Sequence, residues 1–191
     1  MSQYSDFIYE GYVKDLSVCD KLIALLNNHP DKHPGYVGNN AGQAVINTDL
    51  KDSTEVSVYE EPIIHEYMES IAHIIEAYKE KYPACNMFAP WGVAEAINIQ
   101  HYAPGGGFKT WHTERVMAGG SQSNRHLVFM TYLNDVTDEG GTEFMHQKIT
   151  VSACKGKTLI WPVDWTHTHR GIVSPSQEKY VLTGWFSYIQ A

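Results

Sequence analysis

HLVFMTYLN (126–134), GKTLIW (156–161), HTHRGIV (167–173) and KYVLTGWFSYI (179–189) carry the reading that decides the fold. Each is short, rich in β-branched and aromatic residues, and bounded by Gly, Pro, Asn or Ser, as strands between turns are. VAEAINIQHY (93–102) has the same texture. Many short strands with glycine-rich turns over 91–191 predict a sandwich or jelly roll, not alternating βαβ units. Residues 1–90 carry the helical signals. Leu16, Cys19, Leu22, Ile23 and Leu26 fall at helical spacing, with Asp15 or Ser17 as a cap and His29-Pro30 as a stop. From Pro62 to Tyr82, the apolar positions Ile64, Met68, Ile71, Ile75 and Tyr78 step by three and four. Both stripes read as core faces without chemistry. Residues 32–58, rich in Gly, Asn and Asp, read as loops and short strands. The expected layout is one α+β domain of 191 residues, with 1–90 as helical support packed on one sheet of a 91–191 core.

Composition narrows the function classes. Apolar residues make up 43% and charged residues 19%, the profile of a folded domain. With 22 acids against 14 bases, the formal charge of −8 repels phosphate backbones, so nucleic acid is not the expected partner. The three cysteines, Cys19, Cys85 and Cys154, are odd in number and form no CxxC, which disfavours a disulfide framework or a cysteine zinc site. MSQYSDFIYEGYVKD has no basic region followed by an apolar run, and no stretch approaches the ~20 apolar residues of a membrane helix. A cytoplasmic location with no membrane association is the expectation.

His112-Thr113-Glu114 is the most informative triplet. On an extended chain, residues two apart project to the same face, so His112 and Glu114 can reach one ion. HTHRG at 167–171 supplies a third ligand. Two imidazoles and one carboxylate on one face of a metal leave positions open, a geometry suited to Fe(II). His167 and His169 are two apart, so alternation alone does not choose between them.

The order of the motifs carries a resemblance. Tyr102-Ala103-Pro104-Gly105 precedes His112 by ten residues from its tyrosine. Arg125 leads into Tyr132-Leu133-Asn134-Asp135, followed by Gly140-Gly141-Thr142-Glu143-Phe144. Gly156-Lys157-Thr158-Leu159-Ile160, His169-Arg170-Gly171, Lys179 and Trp185 complete the series. In this order and spacing the segment from Tyr102 to Trp185 resembles the catalytic core of the prolyl 4-hydroxylase-like branch of the Fe(II)/2-oxoglutarate dioxygenases. The family usually has Asp where this chain has Glu114. The resemblance implies a double-stranded β-helix (jelly roll) and selects His169, because the family's basic residue lies ten positions beyond its distal histidine, where this chain has Lys179 and not Gln177.

It further implies Fe(II), 2-oxoglutarate and O2 as cofactors and co-substrates, with ascorbate as an additional candidate. The expected ligands are His112, Glu114 and His169. Lys179, Tyr102 and Thr183 would hold the distal carboxylate of 2-oxoglutarate, Lys179 through a charge-assisted hydrogen bond. The implied reaction is decarboxylation of 2-oxoglutarate to succinate and CO2 with hydroxylation of an unactivated C–H bond. The substrate is a peptidyl proline, a free amino acid or another metabolite.

Arg115, Arg170, His167 and Trp185 are candidate substrate contacts, and Trp111, Trp161 and Trp165 candidates for the pocket mouth. Gly105-Gly106-Gly107-Phe108-Lys109 lacks the Gly-Lys-Ser/Thr ending of a phosphate loop and reads as a mobile turn. Met117 to Asn124, rich in Gly and Ser, reads as a substrate-facing lid. A cupin-like metal-dependent hydrolase or isomerase would use the same triad but leaves Lys179 without a purpose. A silent binding domain would not need an intact triad.

Overall fold

The protein is described by a computed structural model covering residues 6–38, 43–115 and 121–189. An eight-stranded antiparallel sheet runs in the order Tyr9–Tyr12, Lys157–Pro162, Arg125–Tyr132, Lys179–Tyr188, Ile97–Tyr102, Thr54–Val58 and His33–Pro34, with Trp91–Val93 also pairing to Lys179–Tyr188. A three-stranded sheet of Ile149–Val151, Thr142–Phe144 and His169–Gly171 faces it. Helices α1 (Ser17–Asn28) and α2 (Pro62–Lys81) cover the outer face of the large sheet. The architecture is α+β, a jelly roll with its helices on one sheet.

Strand alternation divides the large sheet into two faces. Leu127 and Phe129, Leu182 and Phe186, Ile97 and Ile99, and Val56 and Val58 turn outward and pack with Leu22, Leu26, Tyr67, Ile71 and Ile74 of the helices. Val128, Met130 and Tyr132, Val181 and Trp185, and Leu159 and Trp161 turn inward with Tyr102 and Phe144. The barrel therefore has an aromatic interior lined by the intervening residues of the same strands. One polar chain crosses the helix–sheet layer, where the Tyr67 hydroxyl meets Thr131 Oγ1 at 2.8 Å and Thr131 meets Thr158 at 2.7 Å.

Both helices sit where the periodicity puts them. Asp15 accepts the backbone N–H of Ser17 at 2.8 Å from one residue before the N-cap position, which Leu16 occupies. In α2 the buried stripe centres on Ile64, Tyr67, Ile71, Ile74 and Tyr78, while Met68 and Ile75 are only half-buried. The first half of the chain does more than supply helices, because Tyr9–Tyr12, His33–Pro34 and Thr54–Val58 extend the large sheet at both edges. No helix among the described residues is long and apolar enough to cross a membrane.

Gly184 marks the tightest contact on the outer face. A Cβ there would lie 2.2 Å from Phe129 Cζ, directly across the strand pair. Gly184→Ala is expected to destabilise by about 1–3 kcal/mol through overpacking. At about 2–4 °C per kcal/mol for a domain of this size, thermal unfolding followed by circular dichroism should register the loss. An unchanged midpoint would mean that the ring moves aside freely.

Candidate active site

The barrel mouth opens on a cavity of about 920 Å³ whose lining includes His112, Glu114, His169, Tyr102, Lys179, Thr183 and Trp185. His112 is reached through an isolated bridge to His169 rather than a regular strand, with backbone bonds in both directions at 3.0 Å. This bridge sets the two histidines side by side. One ligand-capable atom from each of His112, Glu114 and His169 lies within 4.8 Å of the others, the convergence expected from the His-x-Glu spacing and the distal histidine.

The tautomers follow from the backbone. His112 Nδ1 donates to the Thr110 carbonyl at 3.0 Å and His169 Nδ1 donates to the His167 carbonyl at 2.9 Å. A neutral imidazole with its proton on Nδ1 leaves a bare lone pair on Nε2. The two Nε2 atoms lie 3.5 and 3.4 Å from Glu114 Oε1. Burial, and then the neighbouring His169, push the His112 pKa down, so its ring is neutral near pH 7. Burial pushes the Glu114 carboxyl up, but hydrogen bonds and charge from the two imidazoles, when a proton occupies the space between Nε2 and Oε1, outweigh it and hold the group well below the usual carboxylate range. Two lone pairs and one carboxylate thus meet at a single point, a donor set that suits a divalent cation.

Glu114 is aimed by three further residues. Trp185 Nε1 donates to Glu114 Oε2 at 3.0 Å, and Arg125 Nη1 donates to the Glu114 carbonyl at 2.9 Å. The Arg125 guanidinium stacks 3.6 Å from the Trp185 ring and binds Glu95 through two hydrogen bonds of 2.8 and 2.7 Å. Such partners fix ligand orientation. Trp185 therefore touches the site through Glu114. Glu95 was not foreseen, because it stands between strands and no spacing rule connects it to Arg125.

Lys179 and Tyr102 face each other across adjacent strands, with Lys179 Nζ 5.1 Å from the Tyr102 ring centre. Lys179 is 4% exposed and donates to the Ile172 carbonyl at 3.1 Å. Among the described cations lining the cavity, Lys51 pairs with Glu55 and Arg125 with Glu95, whereas Lys179 has no carboxylate partner. Burial lowers its pKa from 10.5 to about 8. The Tyr102 hydroxyl donates to Gln100 Oε1, and burial with the charges of Glu55 and Glu114 keeps it a neutral phenol. Thr183 lines the same wall.

Other expected contacts lie elsewhere. His167 belongs to a 3-10 turn, Trp165–His167, so strand alternation does not apply to it. Its Nε2 donates to the Asp6 carbonyl and its ring does not line the cavity, although its backbone carbonyl orients His169. Arg115 pairs with Asp164 and faces a separate groove beside Tyr82 and His126. Arg170 pairs with Glu143 and stacks 4.4 Å over Trp111, itself a cavity residue. Trp161 does line the cavity, buried against His169, whereas Trp165 is 69% exposed and away from the cavity lining. The glycine turn is held rather than free, because Gly107–Phe108 pairs with Lys51–Asp52. Of the lid expected at 117–124, residues 117–120 lie outside the described residues, and Gln122, in a short 3-10 turn, lines the cavity.

Comparison with known proteins agrees with this geometry. Residues 97–187 match the family model described as 2OG-Fe(II) oxygenase superfamily. No protein of curated function matches the sequence at a significant level. Among solved structures, the viral collagen prolyl hydroxylase vCPH from Paramecium Bursaria Chlorella virus-1 is similar at TM-score 0.69 and 15% identity, over 96% of this chain and 97% of that one. A Pseudomonas putida prolyl-4-hydroxylase is similar at TM-score 0.68 and 14% identity, over 94% and 92%. A Trichoplax adhaerens prolyl hydroxylase, in complex with a hypoxia inducible factor oxygen degradation domain peptide fragment, gives TM-score 0.71 and 10% identity, over 96% and 84%.

Proposed function

Over residues 97–187 this chain belongs to the 2OG-Fe(II) oxygenase superfamily, and from that membership we propose that His112, Glu114 and His169 hold Fe(II), that Lys179 and Thr183 hold 2-oxoglutarate, and that the hydroxylated substrate is a residue, proline first, within a peptide chain. The enzyme is a 2-oxoglutarate-dependent dioxygenase. Bound Fe(II), with 2-oxoglutarate and O2, supplies oxidation of an unactivated C–H bond with release of succinate and CO2. The protein's own residues do the rest.

One observation carries the ligand assignments. A tridentate set of lone pairs shares its cavity with a buried ammonium that has no carboxylate partner. The Lys179 ammonium receives a carboxylate deep in the barrel, and Thr183 borders the same wall. Tyr102 closes that end as a neutral hydroxyl. Arg125, anchored by Glu95, holds Glu114 from behind while Trp185 fixes its second oxygen. The aromatic walls of Phe144, Trp161 and Tyr132 keep water from the inner end. A hydrolase or isomerase on the same triad would have no use for Lys179.

The peptide reading rests on size. About 920 Å³ stands at the upper end of the ~300–1,000 Å³ typical of ligand pockets. The Trichoplax adhaerens relative, of the same fold, is described with a peptide fragment bound. The test is succinate release by the purified protein with Fe(II), with and without ascorbate, against prolyl peptides and free amino acids. Prolyl peptides should raise succinate release above the substrate-free rate. Stimulation by free amino acids with no response to peptides would overturn the peptide assignment. Anaerobic addition of 2-oxoglutarate to the Fe(II) protein should also give a visible charge-transfer band that His112→Ala removes.

A further inference from the structure

We propose that Phe108 is a positioning residue for His112, and that the buried Lys51–Glu55 pair secures Phe108 in that place; this rests on the reading of His112 as a metal ligand. The Phe108 and His112 rings lie 8° from parallel with centroids 3.7 Å apart. The single hydrogen bond from Nδ1 to Thr110 fixes where that nitrogen points but leaves the ring free to tilt about the bond. A flat contact across the ring face removes the tilt. His169 is held differently, by the edge of Trp161 at 78° and by Phe144 at 35°. Phe108 is thus the ring that lies flat on a ligand.

Phe108 is itself tied to the adjoining cavity wall at Leu50 and Lys51. Lys51 and Phe108 are register partners in a two-residue ribbon, and Lys109 N donates to the Leu50 carbonyl at 2.8 Å. Gly106 lets the two chains approach, since a Cβ there would sit 2.9 Å from the Asp52 carbonyl oxygen. Lys51 Nζ lies 5.0 Å over the Phe108 ring, a cation–π distance, and 2.6 Å from Glu55. Both members of that pair are buried, Lys51 at 6% and Glu55 at 3% exposure, and Ser53 donates to Glu55 Oε1. A buried ion pair is poor evidence of stabilisation by itself, because desolvation offsets the attraction. Here the pair fixes a cation over the ring that lies against His112. Because Lys51 also lines the cavity beside Leu50 and Tyr36, this wall and the ligand form one mechanical unit.

The experiment measures Mn(II) affinity by calorimetry in the absence of 2-oxoglutarate, alongside the metal-free melting temperature. Phe108→Leu should weaken Mn(II) binding by about 10–100-fold, the range for partners that orient a ligand, while Phe108→Tyr should stay within about threefold of the parent. Phe108→Met, of similar volume and flexible, carries the same expectation as Phe108→Leu if the latter does not fold. The double change Lys51→Met with Glu55→Gln, which leaves no lone buried charge, should weaken binding about tenfold or less but measurably. His112→Ala separates the two layers of the argument. If it abolishes Mn(II) binding while folded Phe108→Leu and Phe108→Met bind as the parent does, the brace is overturned and the ligand stands. If His112→Ala binds Mn(II) as tightly as the parent, the ligand reading itself falls.

Discussion

Lys179→Met is expected to raise the melting temperature of the metal- and co-substrate-free protein and to abolish useful 2-oxoglutarate binding. Both effects come from one buried ammonium. Burial has lowered its pKa from 10.5 to about 8, a gap worth about 3 kcal/mol as an upper bound on the cost of burying the charge. Below about pH 8 the lysine is protonated both folded and unfolded, so the whole cost is present. Between about 8 and 10.5 the unfolded chain holds the proton and the folded chain does not, so native stability rises with pH. Methionine fills similar volume without the charge. The advantage of the variant should therefore be largest below pH 8 and fade towards pH 10.5. At about 2–4 °C per kcal/mol, a gain of several degrees is within reach of calorimetry. For the carboxylate, losing its buried partner costs about 3–5 kcal/mol, or about 150-fold to several thousandfold in affinity. In the parent protein, 2-oxoglutarate affinity should be flat below pH 8 and fall up to tenfold per unit above it, as a proton must be taken up to bind. A variant that is less stable and still binds 2-oxoglutarate would remove Lys179 from the subsite.

The contrast between Lys179 and His167 explains what was legible in the sequence. Lys179 is legible through the family resemblance, which implies a basic residue ten positions beyond the distal histidine, and the regular strand that carries it keeps period two and puts Lys179, Val181, Thr183 and Trp185 on the inner face. The His167 prediction used the same rule two residues outside a strand, where a 3-10 turn breaks the period. The triad itself was legible because His112 and Glu114 are neighbours in sequence and His169 lies in a recognisable motif. Its supports were not. Glu95 meets Arg125 across 30 residues, and Lys51 meets Phe108 through a ribbon only two residues long. Such pairings leave no periodic trace, because they are set by how the sheets close. Residues 32–58 do form loops and short strands as their composition suggests, but the partners of those strands were not legible for the same reason, Thr54–Val58 being paired along its whole length to Ile97–Tyr102. The site is therefore an assembly of a few locally encoded donors and several partners supplied by long-range closure.

Glu114→Gln should separate folding from metal binding more cleanly than any alanine variant. In the parent, an ionised carboxylate oxygen faces two bare imidazole nitrogens at 3.5 and 3.4 Å. A glutamine amide can donate to those nitrogens and accept the Trp185 indole proton with its oxygen. Arg125 keeps its paired hydrogen bonds to Glu95 and its bond to the residue 114 carbonyl. The metal-free variant should thus melt at or above the parent temperature. Metal binding loses its anionic ligand, and a Kd at least about a hundredfold higher is expected, beyond the 10–100-fold typical of losing a partner that only orients a ligand. Divalent metal at 100 times the parent Kd stabilises the parent by about 2.7 kcal/mol, or roughly 5–10 °C. The same concentration then sits at or below the Kd of the variant and gives about 0.4 kcal/mol or less, a shift of about 1 °C. Turnover should fall to the uncatalysed background. A full metal-induced shift in Glu114→Gln would mean that the ion is held elsewhere. A collapse of the metal-free protein would mean that the carboxylate serves the fold rather than the ion.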